Sequence, residues 1–368
     1  MKKKFFKNME WGILICSVLL LAIGMVALFS ATQNSNYDEF TKQGIWALVS
    51  IPAVILFMLV DYEFLAKISP FFYGIFIILL IAVLFTSPIN GASSWFVLGP
   101  VSFQPAELAK VFVIMFVSYI ISLLCKKGRV EINKIWKLGL VLISAAVPIL
   151  LIAKQPDYGT AMVFLVALCF MLFASGLKAK FIIAAVLIVV ILAPVVYLFV
   201  LPDHAKTRIE VFLNPEQDPR GAGYNIIQSK LAIGAGELLG MGIFKGNQTQ
   251  LGFLYPKSTD FIFAVIGEEF GFVASSIIIV LYVILITKAI YVAKTAKDDL
   301  GSLIAMGIAG MFFFHMTENI GMTIGLLPIT GIPLPFVSYG GSSLLTNFIA
   351  IAILLNISGR RQKAIFVE

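Results

Sequence analysis

Acidic side chains at the starts of apolar segments are the residues of this chain best placed for chemistry. Asp260 and Asp157 each precede such a segment, and Glu107 stands three residues before Lys110. A carboxylate at a helix start can cap the helix, and one within reach of a hydroxyl group can act as a general base. Glu107 and Lys110 share a helix face and can form an ion pair. Spacing alone leaves both substrate chemistry and structural support open for these residues.

Other ionisable residues lie deeper inside apolar runs. Glu268 and Glu269 come about two helical turns, roughly 12 Å, after the start of their run, so we expect them to brace helices. His315 and Glu318 share a face of another run, where a single histidine favours packing over ligand binding. His204, the other histidine, is far away in sequence, which argues against a zinc site.

The absence of a Walker A motif and of a G-x-S-x-G turn argues against a P-loop ATPase and a serine hydrolase.

The composition indicates an integral membrane protein. The chain has 368 residues, of which 60% are hydrophobic and only 13% charged, whereas soluble domains average about 45–50% apolar and about 25% charged residues. A helix needs about 20 apolar residues to cross the hydrocarbon core. We therefore predict an all-α polytopic membrane protein with a single domain over residues 1–368. The ten predicted transmembrane helices cover residues 11–31, 43–60, 70–87, 105–125, 138–153, 158–175, 180–200, 261–287, 301–327 and 337–357.

Basic residues are distributed unevenly between the two sets of connecting loops. The formal net charge is +7, and most Lys and Arg residues fall at the termini or in the loops on the same side as the termini. The positive-inside rule then places both termini in the cytoplasm. The basic charge therefore reports membrane topology, and we expect no nucleic-acid partner.

The segment 201–260, between the seventh and eighth spans, is predicted to be one large extracellular loop. Connections of this length are usually functional or disordered. Glycines interrupt its apolar sequence, and residues 227, 231 and 238 fit one face of a helix. We expect an ordered loop with a short helix in the outer membrane interface, and a simple tether is the alternative.

These features fit two classes of membrane protein. One is a transporter whose polar groups line a path, and the other is an enzyme that acts on a lipid-linked substrate at the outer leaflet. Inverted-repeat transporters have matching broken helices in their two halves, and the segment 201–260 has no counterpart elsewhere in the chain. Periodicity alone leaves both classes open.

Four sequence blocks resemble the SEDS family of shape, elongation, division and sporulation proteins. The longest is NIGMTIGLLPITGIPLPFVSYGGSS at residues 319–343, and such a long match is highly specific. The others are FQPAELAK at 103–110, QPDYGTA at 155–161 and TDFIF at 259–263, in the family's order. The resemblance covers essentially the whole chain. Within the family, QTQLGFL at 248–254 is more similar to the RodA subfamily than to the division or sporulation members.

The resemblance implies a peptidoglycan glycosyltransferase in the bacterial cytoplasmic membrane. Such an enzyme polymerises lipid II at the outer face during cell elongation or shape determination, with a class B penicillin-binding protein as its transpeptidase partner. Asp260 matches the family's proposed catalytic aspartate, and Glu107 with Lys110 matches a buried pair required for function. Ser338 lies in the longest block, and Glu318 directly precedes it. Together with Asp157, these residues are expected to bind substrate or support the site.

The implied reaction also defines expectations for cations. Joining two disaccharide units expels undecaprenyl diphosphate, whose charge basic side chains or a divalent cation can stabilise. Lys110, Arg208 and Arg220 are the candidate side chains, although the two arginines could equally be solvated loop charges. The resemblance makes Mg²⁺ or Mn²⁺ plausible, without a readable ligand set, and no organic cofactor is expected. A lipid II flippase and a non-catalytic scaffold for the penicillin-binding protein are the alternatives.

Overall fold

Long apolar helices dominate the fold, as the composition predicts. The computed structural model describes residues 2–89, 91–99, 101–126, 128–199, 203–219, 221 and 223–361. The helices are α1 (Lys2–Asn8), α2 (Trp11–Ala31), α3 (Asp38–Leu59), α4 (Tyr62–Ala82), α5 (Pro105–Leu124), α6 (Ile135–Ala153), α7 (Tyr158–Ala174), α8 (Ala179–Phe199), α9 (Asp203–Leu213), α10 (Tyr224–Ala235), α11 (Asn247–Gln250), α12 (Ile262–Thr295), α13 (Asp299–Thr323) and α14 (Gly341–Gly359). Two short antiparallel strands, β1 (Phe96–Leu98) and β2 (Val101–Phe103), precede α5 and were not predicted.

Eight of the described helices are long and apolar enough to cross a membrane, namely α2, α3, α4, α5, α6, α12, α13 and α14. The shorter apolar helix α7 and the segment Ala179–Leu192 of α8 coincide with the two remaining predicted spans. The all-α, multi-pass architecture is therefore confirmed. The count of ten spans stays a prediction.

Several helix boundaries differ from the ends of the apolar runs. The third span was predicted from residue 70, but α4 begins at Tyr62, where the Asp61 side chain accepts a hydrogen bond from the N–H of Glu63 as an N-cap. The last span was predicted from residue 337, but α14 begins only at Gly341. The predicted break at residues 154–157 is present between α6 and α7.

Helices α5, α13 and α14 form the centre of the bundle, and α14 is buried along nearly its whole length. Helix α13 packs against α7, α12 and α5, while α14 packs against α3 and α5. By contrast, only 11%, 22% and 28% of the residues in the apolar spans of α3, α4 and α6 are buried, as in helices that face lipid. The centre therefore carries the polar residues that lipid would not tolerate.

The connection between α8 and α12 contains the predicted short helix, but with a different buried face. Helix α10 ends at Ala235, so Leu238 lies outside it, and Leu231 and Leu238 are 51% and 67% exposed. The buried residues are instead Ile226, Ser229 and Ala232. The predicted face was wrong because α10 packs mainly against α12, while Ser229 also donates a hydrogen bond to the carbonyl of Thr323.

Helix α12 is interrupted at Gly271, whose φ of 74° lies in the left-handed region that glycine tolerates. The carbonyls of Glu268 and Glu269 accept hydrogen bonds from the N–H groups of Met241 and Gly242, both at 2.9 Å. Backbone groups that a helix break exposes must find partners when water is absent. The segment 237–242 supplies them, so the connection between α8 and α12 is built into the bundle.

Candidate active site at the Asp260 turn

The four sequence blocks converge at one end of the bundle. Residues 256–261, the Asp260 turn, precede α12, and residues 328–340, the proline-rich loop, connect α13 to α14. The Ser338 hydroxyl donates to the carbonyl of Thr259 at 2.6 Å, and the N–H of Tyr339 donates to the carbonyl of Ser258 at 2.9 Å. The same Ser338 oxygen accepts the N–H of Leu334 at 2.8 Å. Ser338 thus joins the turn to the loop through backbone groups.

Asn319 fixes the same two segments from α13. Its side-chain amide donates to the carbonyl of Asp260 at 3.0 Å and to the carbonyl of Ile332 at 2.9 Å. Asn319 is fully buried. Sequence reasoning did not single out this residue, although it opens the longest block. A buried amide among apolar neighbours was the available signal.

The Asp260 side chain lies at the edge of this assembly and is only half-buried. Its Oδ2 atom is 3.3 Å from the position that a Cβ would occupy on Gly331 of the proline-rich loop. The backbone of the turn is therefore held on two sides, while the carboxylate keeps access to the surroundings. A general base needs this combination of a fixed position and contact with a substrate proton.

Glu107 and Lys110 form the predicted ion pair next to the loop. The Lys110 ammonium lies 2.9 Å from a Glu107 carboxylate oxygen and 3.0 Å from Nε2 of His315, and all three residues are at most 2% exposed. Nδ1 of His315 is 3.0 Å from the carbonyl of Pro333. Both partners of Lys110 are protein groups, so the structural use of this lysine is the one the geometry favours.

Asp157 links the start of α7 to the start of α5. Its Oδ1 accepts the N–H of Thr160 at 3.1 Å as an N-cap, and its Oδ2 accepts the Gln104 amide at 2.8 Å. A Cβ on Gly159 would lie 2.6 Å from the Ile332 side chain. Asp157 therefore caps its helix and also places α7 directly on the proline-rich loop.

Glu318 contacts the loop from α13. Its carboxylate accepts the hydroxyl of Thr330 at 2.8 Å, and the side chain is 4% exposed. Together with His315 and Asn319, it gives α13 three polar side chains that bind consecutive parts of one loop. This arrangement determines the surface against which Asp260 rests.

Glu268 and Glu269 brace α11, as expected from their depth. The Glu268 carboxylate accepts the N–H groups of Gln248 and Thr249 and the Thr249 hydroxyl, at 2.6–2.9 Å. The Glu269 carboxylate accepts the Ser30 hydroxyl at 2.7 Å and the Gln250 amide at 2.9 Å. Both glutamates are at most 1% exposed.

Lys257 belongs to this second cluster. Its ammonium donates to the carbonyl of Thr249 at 2.8 Å. Partial burial lowers the pKa of Lys257, and the carboxylate of Glu269 acts in the opposite direction. The cluster therefore ties the connection between α8 and α12 to the Asp260 turn.

The two predicted phosphate-binding arginines are not placed in this site. Arg208 lies on α9, but its side chain is outside the part of the chain that the structure describes. Arg220 lies outside the described residues. Their assignment to the diphosphate stays a prediction.

The chain matches proteins of one family along nearly its whole length. The FtsW/RodA/SpoVE family profile, described as "Cell cycle protein", matches residues 10–363. Peptidoglycan glycosyltransferase MrdB of Escherichia coli is 41% identical over 295 residues, which cover 80% of this chain and 78% of that protein. Peptidoglycan glycosyltransferase RodA of Treponema pallidum is 31% identical, with 98% of this chain and 100% of that protein covered.

Solved structures give the same grouping. A chain from a peptidoglycan synthase complex, described for its coordination of polymerisation and crosslinking, superposes with a TM-score of 0.82 at 27% identity and covers 95% of this chain and 97% of its own. The rod shape determining protein RodA of Thermus thermophilus superposes with a TM-score of 0.72 at 26% identity, with 96% and 98% covered. This chain therefore belongs to the FtsW/RodA/SpoVE family of cell cycle proteins, the family that its four sequence blocks resemble.

Proposed function

We propose that this protein is a peptidoglycan glycosyltransferase that polymerises lipid II into glycan strands, with Asp260 as the general base. The observation that carries the assignment of the base is the geometry of the Asp260 turn. Asn319, Ser338 and Tyr339 hold its backbone, while the carboxylate stays partly exposed. The names of the related proteins support the reaction.

The proposed step is a displacement at the anomeric carbon of the lipid-linked donor. The 4-hydroxyl oxygen of the acceptor sugar forms the new bond to that carbon, while the bond from the carbon to the diphosphate oxygen breaks. The hydroxyl proton passes to the Asp260 carboxylate, and undecaprenyl diphosphate leaves with the bonding electrons. A sugar hydroxyl does not ionise near neutral pH, so a carboxylate within hydrogen-bond distance accelerates its attack.

The proposed divalent cation binds to the substrate. Among the described residues, no three His, Cys, Asp or Glu side chains come close enough together to hold a metal ion. Mg²⁺ is commonly bound by one or two carboxylates together with substrate phosphates. Bound to the donor's diphosphate, Mg²⁺ or Mn²⁺ would stabilise the charge of the leaving group.

The partner and the orientation are also part of the proposal. One structural relative is a chain from a peptidoglycan synthase complex, which supports a class B penicillin-binding protein as the partner of this chain. Both termini lie in the cytoplasm by the distribution of basic residues. Asp260 then lies at the outer face, where the enzyme meets membrane-anchored lipid II. The elongation subfamily is favoured by the likeness to RodA and MrdB.

The decisive experiment is polymerisation of labelled lipid II by the purified protein, alone and with its cognate class B partner. Each reaction is run with Mg²⁺, with Mn²⁺ and with EDTA, for the wild type and for Asp260→Ala. Glycan chains from the wild type and none from the variant are expected. Chains from the variant would remove the assignment of Asp260. No chains from the wild type, even with the partner, would favour lipid II translocation or scaffolding.

A further inference from the structure

A continuous set of buried contacts leads from α5 to the proline-rich loop through His315. The carbonyl of Pro333 can only accept a hydrogen bond, so Nδ1 of His315 carries the proton that lies between them. Nε2 of the neutral ring is then an acceptor, and the Lys110 ammonium donates to it. Both ring nitrogens therefore have protein partners.

The contacts continue from the loop to Asp260. His315 and Asn319 are four residues apart on α13 and so share one face of the helix. They bind the adjacent carbonyls of Pro333 and Ile332, and the Asn319 amide also binds the carbonyl of Asp260. The Asp260 carboxylate rests on Gly331, the next residue along the loop. A displacement of Pro333 would therefore displace the surface that supports Asp260.

We propose that His315 is a positioning residue, which couples the buried Glu107–Lys110 pair to the proline-rich loop and thereby fixes the Asp260 carboxylate. The Glu107–Lys110 ion pair orients His315. The inference rests on the proposed function for its activity measurement, but the coupling itself is a structural property. It gives a reason for burying a lysine at 1% exposure within the helical bundle.

Two substitutions separate positioning from packing. Leucine has a similar size to histidine and fills the space, but it leaves the Pro333 carbonyl and a Lys110 proton without a partner. A glutamine amide can accept from Lys110 and donate to Pro333. If His315 only fills space, His315→Leu is tolerated, because leucine preserves the packed volume.

The first measurement is the rate of lipid II polymerisation at saturating and at low substrate. His315→Leu is expected to lower the saturating rate at least about tenfold with little change in KM, since a displaced base slows the chemical step. His315→Gln is expected to retain a rate within about threefold of the wild type, because it replaces both hydrogen bonds. Equal rates for His315→Leu and the wild type would overturn the proposal.

Asn356→Leu provides a matched control. Asn356 is a buried residue whose amide binds the carbonyls of Phe57 and Val60. It lies fifteen residues along α14 from Gly341, about 22 Å away from the Asp260 end. This variant should lower the unfolding temperature but leave the polymerisation rate unchanged. An equal loss of rate in both leucine variants would attribute the effect of His315→Leu to general destabilisation and would overturn the proposal.

Hydrogen exchange gives a second measurement that does not require activity. His315→Leu should raise the exchange of peptides that cover residues 256–263 and 328–338, whereas Asn356→Leu should leave both at the wild-type level. Unchanged exchange in His315→Leu would overturn the coupling. If the wild type makes no glycan, the proposed function fails, and the exchange result still decides whether His315 couples the two regions.

Discussion

The two ends of the helical bundle use charged residues in different ways. At the end near the termini, ion pairs such as Arg129–Asp299 and Lys297–Glu63 join side chains that are about 40–50% exposed. At the Asp260 end, the carboxylates of Glu107, Glu268, Glu269 and Glu318 are at most 4% exposed. Except for Glu107, their hydrogen-bond partners are hydroxyl, amide and backbone N–H groups.

The exposed ion pairs at one end and the buried carboxylates at the other have different explanations. Exposed ion pairs contribute little to stability, and basic residues near the termini are the pattern from which the membrane orientation is predicted. Buried charges are costly, and an apolar replacement of similar shape is often as stable. Charges buried in such number at one end therefore point to a requirement other than stability, which we identify as positioning of Asp260. Matched substitutions at the two ends test this interpretation.

The largest difference is expected between two aspartates. Asp260→Asn keeps the shape of the side chain but removes its basicity, so polymerisation of lipid II should fall at least about a hundredfold. Asp299→Asn removes an exposed carboxylate that pairs with Arg129 at 2.5 Å at the end near the termini and should leave the rate unchanged. Thermal unfolding in detergent should be similar for both variants. Loss of activity in both variants would mean that the comparison does not identify Asp260 as the general base.

Two lysines provide the next comparison. Lys110→Met leaves the Glu107 carboxylate buried without its cation, which costs about 3–5 kcal/mol, and it also removes the donor to His315. Lys297→Met, at an exposed pair, should cost no more than about 1 kcal/mol. Denaturant or thermal unfolding measures the first effect, and lipid II polymerisation should fall at least about tenfold only in Lys110→Met. Full activity in the double variant Glu107→Lys/Lys110→Glu would show that the pair has a purely structural role.

A smaller effect is expected at the second buried cluster. Glu268→Ala leaves two N–H groups and a hydroxyl of α11 without their acceptor, which should destabilise the local structure by about 1–3 kcal/mol. Hydrogen exchange of residues 246–251 should increase, and polymerisation should fall less than in Lys110→Met. Glu63→Ala is the exposed control and should change neither measurement. Normal exchange in Glu268→Ala would mean that these bonds do not hold α11.

The smallest effect concerns a half-buried carboxylate at the end near the termini, that of Glu131. Hydrogen bonds from Lys137 and Lys134 lower the pKa of Glu131 from 4.5 to about 2. Because the folded value is the lower one, its contribution is present above about pH 4.5 and is lost as the pH falls towards 2. The unfolding temperature of the wild type should exceed that of Glu131→Gln slightly at pH 7, and the gap should narrow below about pH 4.5 and close near pH 2. A constant gap would contradict this origin.

Local sequence information determined much of the architecture. Hydropathy located the long helices, and Lys154 to Asp157 were too polar to remain in lipid, which separated α6 from α7. Spacing also paired Glu107 with Lys110, since residues three apart share a helix face. The position of Asp260 just before a helix followed from the apolar run after it. Each of these features depends on neighbouring residues along the chain.

The tertiary structure decided which polar groups meet. His315 and Lys110 are 205 residues apart in sequence, and Glu269 and Ser30 are 239 apart. The buried face of α10 was also predicted wrongly, because its packing against α12 and its hydrogen bond to Thr323 outweigh its apolar pattern. Such contacts depend on how complete helices pack and on where backbone groups find partners away from water. Local spacing therefore identified Asp260 as a candidate base, whereas only the packing of α13 and the proline-rich loop revealed how it is held.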